Sequence, residues 1–117
     1  MNRRRTGAQY EEQAARWLQE RGFRIEERNY RCPLGEIDLI ARDDPYLVFV
    51  EVKYRSDGRS GDPSEAVDGR KRRRICRAAA FYCKERRIPE DCPCRFDVVS
   101  VLGKELRHIR NAFECEG

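Results

Sequence analysis

The sequence predicts an α/β domain whose elements run α-β-β-β-α-β, followed by a weaker strand or an extended tail. Three observations predict it. Tyr10, Ala14, Trp17, Leu18 and Arg21 repeat at the i, i+4, i+7, i+8 spacing of one helix face. Two strand-like runs, 35–41 and 47–53, flank the turn-forming stretch Arg42-Asp43-Asp44-Pro45. A second helical stripe, Val67, Lys71, Ile75, Ala78, Ala79 and Tyr82, precedes an alternating run from Arg95 to Leu102.

Each element has a local reason. The first helix is expected over 8–21, with Gly22 just past its end, where a left-handed residue commonly closes a helix. Phe23 to Tyr30 reads as a strand, and Pro33 and Gly35 break the chain before a hairpin. Matching apolar to apolar across that hairpin puts Ile37, Leu39 and Ala41 opposite Val52, Val50 and Val48. The same register sets Ile40 opposite Phe49, Asp38 opposite Glu51, and Glu36 opposite Lys53. A turn-rich loop, Ser56 to Pro63, leads to Ser64, which can cap the second helix with Glu65 in its first turn. That helix is expected to run to about Arg87. Pro89 and Pro93 bracket a further loop. In the next strand Phe96, Val98, Ser100 and Leu102 alternate with Arg95, Asp97, Val99 and Val101, and Leu106 to Phe113 forms the final strand or tail.

The length of 117 residues fits one domain, 1–117. Leu, Ile, Val and Phe make up only about a fifth of the chain, so the core is small, but they fall in periodic segments that argue for folding. The net charge is +4. The bases are concentrated in Arg3-Arg4-Arg5 and Arg70-Lys71-Arg72-Arg73-Arg74, which suits a polyanion; the plainer account is a solvated helix face. No transmembrane run is present, and no apolar stretch follows the N-terminal arginines as a secretory signal requires. A cytoplasmic protein is therefore expected, with its six cysteines as thiols. Cys76 and Cys83 lie about 10 Å apart in helical rise, too far to bridge each other. A zinc site from Cys32, Cys92, Cys94 and Cys115 is conceivable, but the spacing is poor and packing or chance is the better account. The single histidine, His108, suits an exposed or packing role better than catalysis.

The chemistry concentrates at the open end of the hairpin. Asp38, Glu51 and Lys53 interrupt two strongly apolar strands, and charge in such places requires a partner or a metal. Directly opposed carboxylates repel, and a divalent cation would reverse the sign. Mg²⁺ takes a few carboxylate oxygens together with water and phosphate oxygens. Lys53, roughly 6 to 7 Å beyond Glu51 on the same face, could orient a water or steady charge developing on a phosphate. Two acids, a metal and a lysine suit hydrolysis of a phosphodiester. The plainer reading is a solvated strand end with cross-strand ion pairs. Lys71 falls in register with the apolar helix positions and either snorkels at the helix edge or faces the acids and a phosphate.

The order α-β-β-β-α-β with Asp38 followed by Glu51-x-Lys53 resembles the PD-(D/E)XK nuclease superfamily, which includes archaeal Holliday junction resolvases. Several motifs look like those of the YraN-type family, uncharacterised protein family 0102. They are Glu11-x-x-Ala14, Arg28-Asn29-Tyr30-Arg31, Gly35-Glu36-Ile37-Asp38-Leu39-Ile40-Ala41 and Phe49-Val50-Glu51-Val52-Lys53-x-Arg55. Glu65-Ala66-Val67 with Lys71, Arg95-Phe96-Asp97-Val98-Val99 and His108-Ile109-x-Asn111-Ala112-Phe113 extend the match over nearly the whole chain. The resemblance implies a restriction-endonuclease-like core, a mixed central β-sheet flanked by helices. It implies that Asp38 and Glu51 bind Mg²⁺ or Mn²⁺, that Lys53 assists the attacking water, and that Glu11 completes the metal shell from the first helix. Tyr10 stands where the family usually carries glycine, which bears on how closely that helix approaches.

The expectation is a Mg²⁺-dependent endonuclease acting on DNA rather than RNA, on branched or otherwise structured forms. Arg55, Arg70, Lys71, Arg72, Arg73 and Arg74 are the candidate phosphate contacts. Junction-cleaving members of the superfamily act as dimers, so a homodimer is a further expectation, although no dimer patch is legible. The rival is a non-catalytic nucleic-acid-binding or adaptor module that retains the fold.

Overall fold

The computed structural model describes residues 7–54 and 68–115. Its elements are α1 (Gly7–Glu20), β1 (Arg24–Cys32), β2 (Gly35–Asp43), β3 (Tyr46–Tyr54), α2 (Gly69–Glu85), β4 (Cys94–Leu102) and β5 (Glu105–Ile109). The strands lie in sequential order, β1-β2-β3-β4-β5. Three neighbouring pairs are antiparallel, and β3–β4 is parallel. Parallel neighbours need a long crossover, which contains α2.

The two helices cover opposite faces of the sheet. Tyr10, Ala14, Ala15 and Leu18 of α1 pack on Leu39, Ala41, Val48, Val50, Val99 and Val101. Ile75, Ala78, Ala79 and Tyr82 of α2 pack on Ile40, Phe49, Phe96 and Val98. The central strands β3 and β4 are thus buried on both sides, which is why they read as nearly continuous apolar runs. Phe49 is almost wholly enclosed, and truncating such a side chain to alanine typically costs about 3–5 kcal/mol. Among the described residues no helix is long and apolar enough to cross a membrane.

Gly22 closes α1 as expected, with φ +92°, and the N–H groups of Arg21 and Phe23 both donate to Leu18 O. Gly35 serves a different purpose. Its φ is +156°, and a Cβ there would meet the carbonyl oxygen of Arg74 at 3.1 Å. Only glycine lets α2 come this close to the start of β2.

Three expectations need correction. Asp68, not Ser64, caps α2: its carboxylate accepts the Lys71 N–H at 2.9 Å. Ser64, Glu65, Val67 and the preceding loop lie outside the described residues, as do Arg3–Arg5 and Arg55. The chain after β5 does not stay extended. It turns at Asn111 (φ +53°), Ala112 N–H donates to Phe96 O, and Phe113 stacks on Phe96. That return brings Cys115 to Cys76, and the two form a disulfide rather than free thiols. Cys115 is therefore not available to the conceived zinc quartet. The sequence separation of 39 residues hides this pairing from any local reading.

Candidate active site

The site forms where the β2–β3 ladder ends. Pairing follows the expected register from Asp43↔Tyr46 to Leu39↔Val50. At the next position Asp38 substitutes its side chain for a ladder bond: Val52 N–H donates to Asp38 Oδ2 at 2.8 Å. Ile37 then packs with Tyr30 and Ile40 on the α2 face, not with Leu39 on the α1 face. The alternation on which the sequence register relied fails at Asp38. The expected pairs Ile37–Val52, Asp38–Glu51 and Glu36–Lys53 are not part of the ladder. Glu36 instead meets Arg31 at 3.4 Å.

Both helices deliver charge into this end of the sheet. Glu51 is 6% exposed, and Lys71 of α2 forms an ion pair with its Oε1. Lys71 thus faces the acids, the part of its second account that the ion pair bears out. Glu11 comes from α1 on the other face. Its Oε1 is buried and has no hydrogen-bond partner. Burial raises the Glu11 carboxyl above its ordinary range, and Glu36 and Glu51 add to the effect. Asp38 is pushed up to about 8, first by burial and then by the charges of Glu51 and Glu11. Burial, with Lys71 alongside, lowers the Lys53 ammonium. Burial alone would lower Lys71 too, but Glu51 holds it above its ordinary value.

Tyr10 does not keep the helix away. Its ring turns onto Tyr54 at 4.0 Å, leaving Glu11 beside Asp38 and Glu51. Arg28 of β1 holds Glu12, the next residue of α1, at 3.0 Å.

Glu11, Asp38 and Glu51 therefore share one corner with Lys53 and Lys71. Among the described residues no trio of His, Cys, Asp or Glu is already drawn into a metal-binding group. Mg²⁺ does not require such a cage, since it commonly uses one or two carboxylates plus water and phosphate oxygens. The partnerless Glu11 oxygen and the mutual repulsion of the acids are what a cation would relieve.

A groove of about 530 Å³ leads away on the α2 side, lined by Arg31, Cys32, Gly35, Glu36, Lys71, Arg74 and Ile75. It unites Lys71 and Arg74 of the predicted basic cluster with Arg31, which sequence reasoning did not single out. Arg31 sits in the Arg28-Asn29-Tyr30-Arg31 motif, and that was the signal available. Arg72 leaves this group: its guanidinium lies over the Phe113 ring at 5.5 Å. Arg70 and Arg73 are exposed near the start of α2.

A second charged centre lies on β4. Asp97 is fully buried. Arg95 donates to both of its oxygens at 2.9 Å, Asn111 N–H donates to Oδ1 at 3.0 Å, and His108 Nε2 lies 2.7 Å from Oδ2. His108 packs edge-on to Trp17 and Phe23, as a packing role requires. Burial alone would raise the Asp97 carboxyl, but His108, Arg95 and the Asn111 amide hold it below its usual range. The sequence reading took Asp97 as one polar step in an alternating strand and missed this network.

Fold and site together define a mixed-sheet α/β protein with an acid–lysine cluster at one end of its sheet. The description "uncharacterised protein family UPF0102" matches residues 10–101, and the chain belongs to that family. A UPF0102 protein of Lachnoclostridium phytofermentans is 51% identical over 117 residues, covering 100% of this chain and 99% of its own. One from Moorella thermoacetica is 52% identical over 101 residues, covering 86% and 83%. One from Nitrosococcus oceani is 42% identical over 114 residues, covering 94% and 92%.

Proposed function

We propose that this chain is a Mg²⁺- or Mn²⁺-dependent endonuclease with a restriction-endonuclease-like core, related to the PD-(D/E)XK nucleases. It hydrolyses phosphodiester bonds of DNA, with branched or structured DNA as the favoured substrate. The observation that carries the reading is the convergence of three carboxylates, Glu11, Asp38 and Glu51, on Lys53 and Lys71, with a Glu11 oxygen buried and partnerless. Carboxyls with raised pKa values gathered in one corner mark a candidate functional site. A divalent cation held by these three would offset the repulsion and polarise a bound phosphodiester.

The chain's own residues supply the rest. Lys53, its ammonium destabilised by burial and by Lys71, can exchange a proton with the attacking water. Arg31, Lys71 and Arg74 line the groove that would carry the substrate backbone. Each phosphate neutralised there steepens the salt dependence of binding by about 0.9 in log-log slope. A cytoplasmic location goes with this substrate. A homodimer is the assembly to test.

One observation favours a second reading. Lys71 already neutralises Glu51 from within the chain, as it would in a nucleic-acid-binding or adaptor module without turnover.

The test is calorimetric titration of Mn²⁺ and Mg²⁺ into wild type and Asp38→Ala, with cleavage of duplex, single-stranded and four-way DNA followed in the same samples. Metal binding and cleavage that both disappear in the variant support the nuclease. DNA binding without metal binding or cleavage supports the adaptor and rejects the nuclease.

A further inference from the structure

Two tyrosines adjoin residues of the acidic cluster in sequence and take no part in the chemistry assigned to it. Tyr10 precedes Glu11 on α1, and Tyr54 follows Lys53 at the end of β3. Their rings stack at 4.0 Å with 19° between planes. Tyr10 is 9% exposed and Tyr54 is 50% exposed. The pair is thus a buried ring carrying an open one.

The position of that open ring matters. Tyr54 stacks on the α1 residue, whereas Glu51 meets Lys71 of α2. The α1 face of this end of the sheet therefore carries an aromatic surface, and the α2 face a basic groove. A nucleotide has the same division, with an anionic phosphate at one end and a flat base at the other. Tyr46 and Leu34 are also exposed, but Tyr46 lies at the hairpin turn near Arg95, and Leu34 lies in the β1–β2 turn. Among these exposed apolar side chains, Tyr54 alone is both ring-backed and next to Lys53 in sequence.

From this juxtaposition we infer that Tyr54 is a stacking platform for an unpaired nucleobase next to the phosphate bound at the acid cluster. The inference rests on the nuclease reading and deepens it. The substrate class is DNA with an unpaired nucleotide at the site of attack: single strands, flaps or branch points. Bases inside a continuous duplex are already stacked on both faces and offer none to a side chain. Tyr10 fixes the platform from below, so less ordering is needed on binding. Stacking of a base on a protein aromatic ring changes affinity by about tenfold and tolerates any sequence.

The experiment uses the full chain in Ca²⁺, to suppress cleavage, with 2-aminopurine at the unpaired position of a flap and of a single strand. Continuous duplex of the same sequence is the comparison, and wild type, Tyr54→Phe, Tyr54→Leu and Tyr54→Ala are titrated in parallel. Wild type and Tyr54→Phe should quench the probe and prefer flap over duplex by about tenfold or more. Tyr54→Ala should lose both the quenching and the preference while duplex affinity stays unchanged. Tyr54→Leu keeps an apolar cover over Tyr10 and should lose them as well, which separates stacking from folding. Unchanged quenching in Tyr54→Leu, or equal losses on flap and duplex, would overturn the platform and leave the nuclease reading intact. Quenching that depends on Tyr54, without cleavage in Mg²⁺ or Mn²⁺, would uphold the platform and reject the nuclease. Wild type that binds none of these DNAs at low salt would reject both.

Discussion

Asp38 and Asp97 are aspartates in the same sheet, on strands separated only by β3, and the protein treats them in opposite ways. Asp97 is fully buried and receives Arg95, the Asn111 amide and His108. Asp38 receives one backbone N–H and faces two further carboxylates. The first carboxyl is held below its ordinary range and the second is driven above it. A satisfied charge fastens strands together, whereas an unsatisfied one keeps binding energy for a ligand. The difference separates a structural centre from the candidate site by the partners each carboxylate has.

The largest effect should come from reversing these roles by mutation. Asp97→Ala leaves Arg95 buried without its main partner and should cost about 3–5 kcal/mol in urea unfolding. Asp38→Asn relieves repulsion and should leave stability equal to wild type or slightly higher, while abolishing divalent-cation binding in calorimetry. Comparable destabilisation by both would erase the contrast.

The pH dependence sharpens it. Asp38 has a folded pKa raised to about 8. Its contribution is fully present below the unfolded value, near 3.9, and is lost as pH rises towards 8. Asp97 has a lowered pKa. Its contribution is present above the unfolded value and is lost as pH falls through the folded one. Wild type should therefore lose up to about 1.4 kcal/mol per pH unit between these two values, and nothing further above the folded one, from Asp38 alone. The Asp38→Asn variant should be flatter there and should still lose stability in acid. Urea midpoints measured from pH 3 to pH 9 give both slopes, and a parallel profile for the two proteins would refute the assignment.

The smallest effect concerns the internal cation. Lys71 neutralises Glu51 and competes with any metal for that oxygen. Lys71→Met should tighten Mn²⁺ by up to roughly fivefold, the size of one partly exposed ion pair. It should also weaken DNA binding and flatten its salt dependence. Weaker Mn²⁺ binding in this variant would mean that Lys71 organises the acids rather than competing for them.

Much of this architecture was legible in the sequence. The helical stripes around Leu18 and Ala78, the turn after Asp43 and the match of Ile40 to Phe49 follow from periodicities imposed by local backbone geometry. Asp38, Glu51 and Lys53 stood out because charge is conspicuous inside apolar strands. The site's finer arrangement was not legible, because it departs from that periodicity. Nothing local announces that Asp38 will take over a ladder hydrogen bond and send Ile37 to the other face.

The sequence by itself determined the element order, the central hairpin and the residues with chemical potential, since each depends on neighbours within a few positions. Only the tertiary structure decided which charges are satisfied. Asp97 looked like one polar step in a strand until residues 108 and 111 folded back onto it. Cys76 and Cys115, Lys71 and Glu51, and Tyr10 and Tyr54 likewise meet only after helices dock on a sheet. Whether a buried charge anchors the fold or awaits a ligand depends on its partners, and those come from distant parts of the chain.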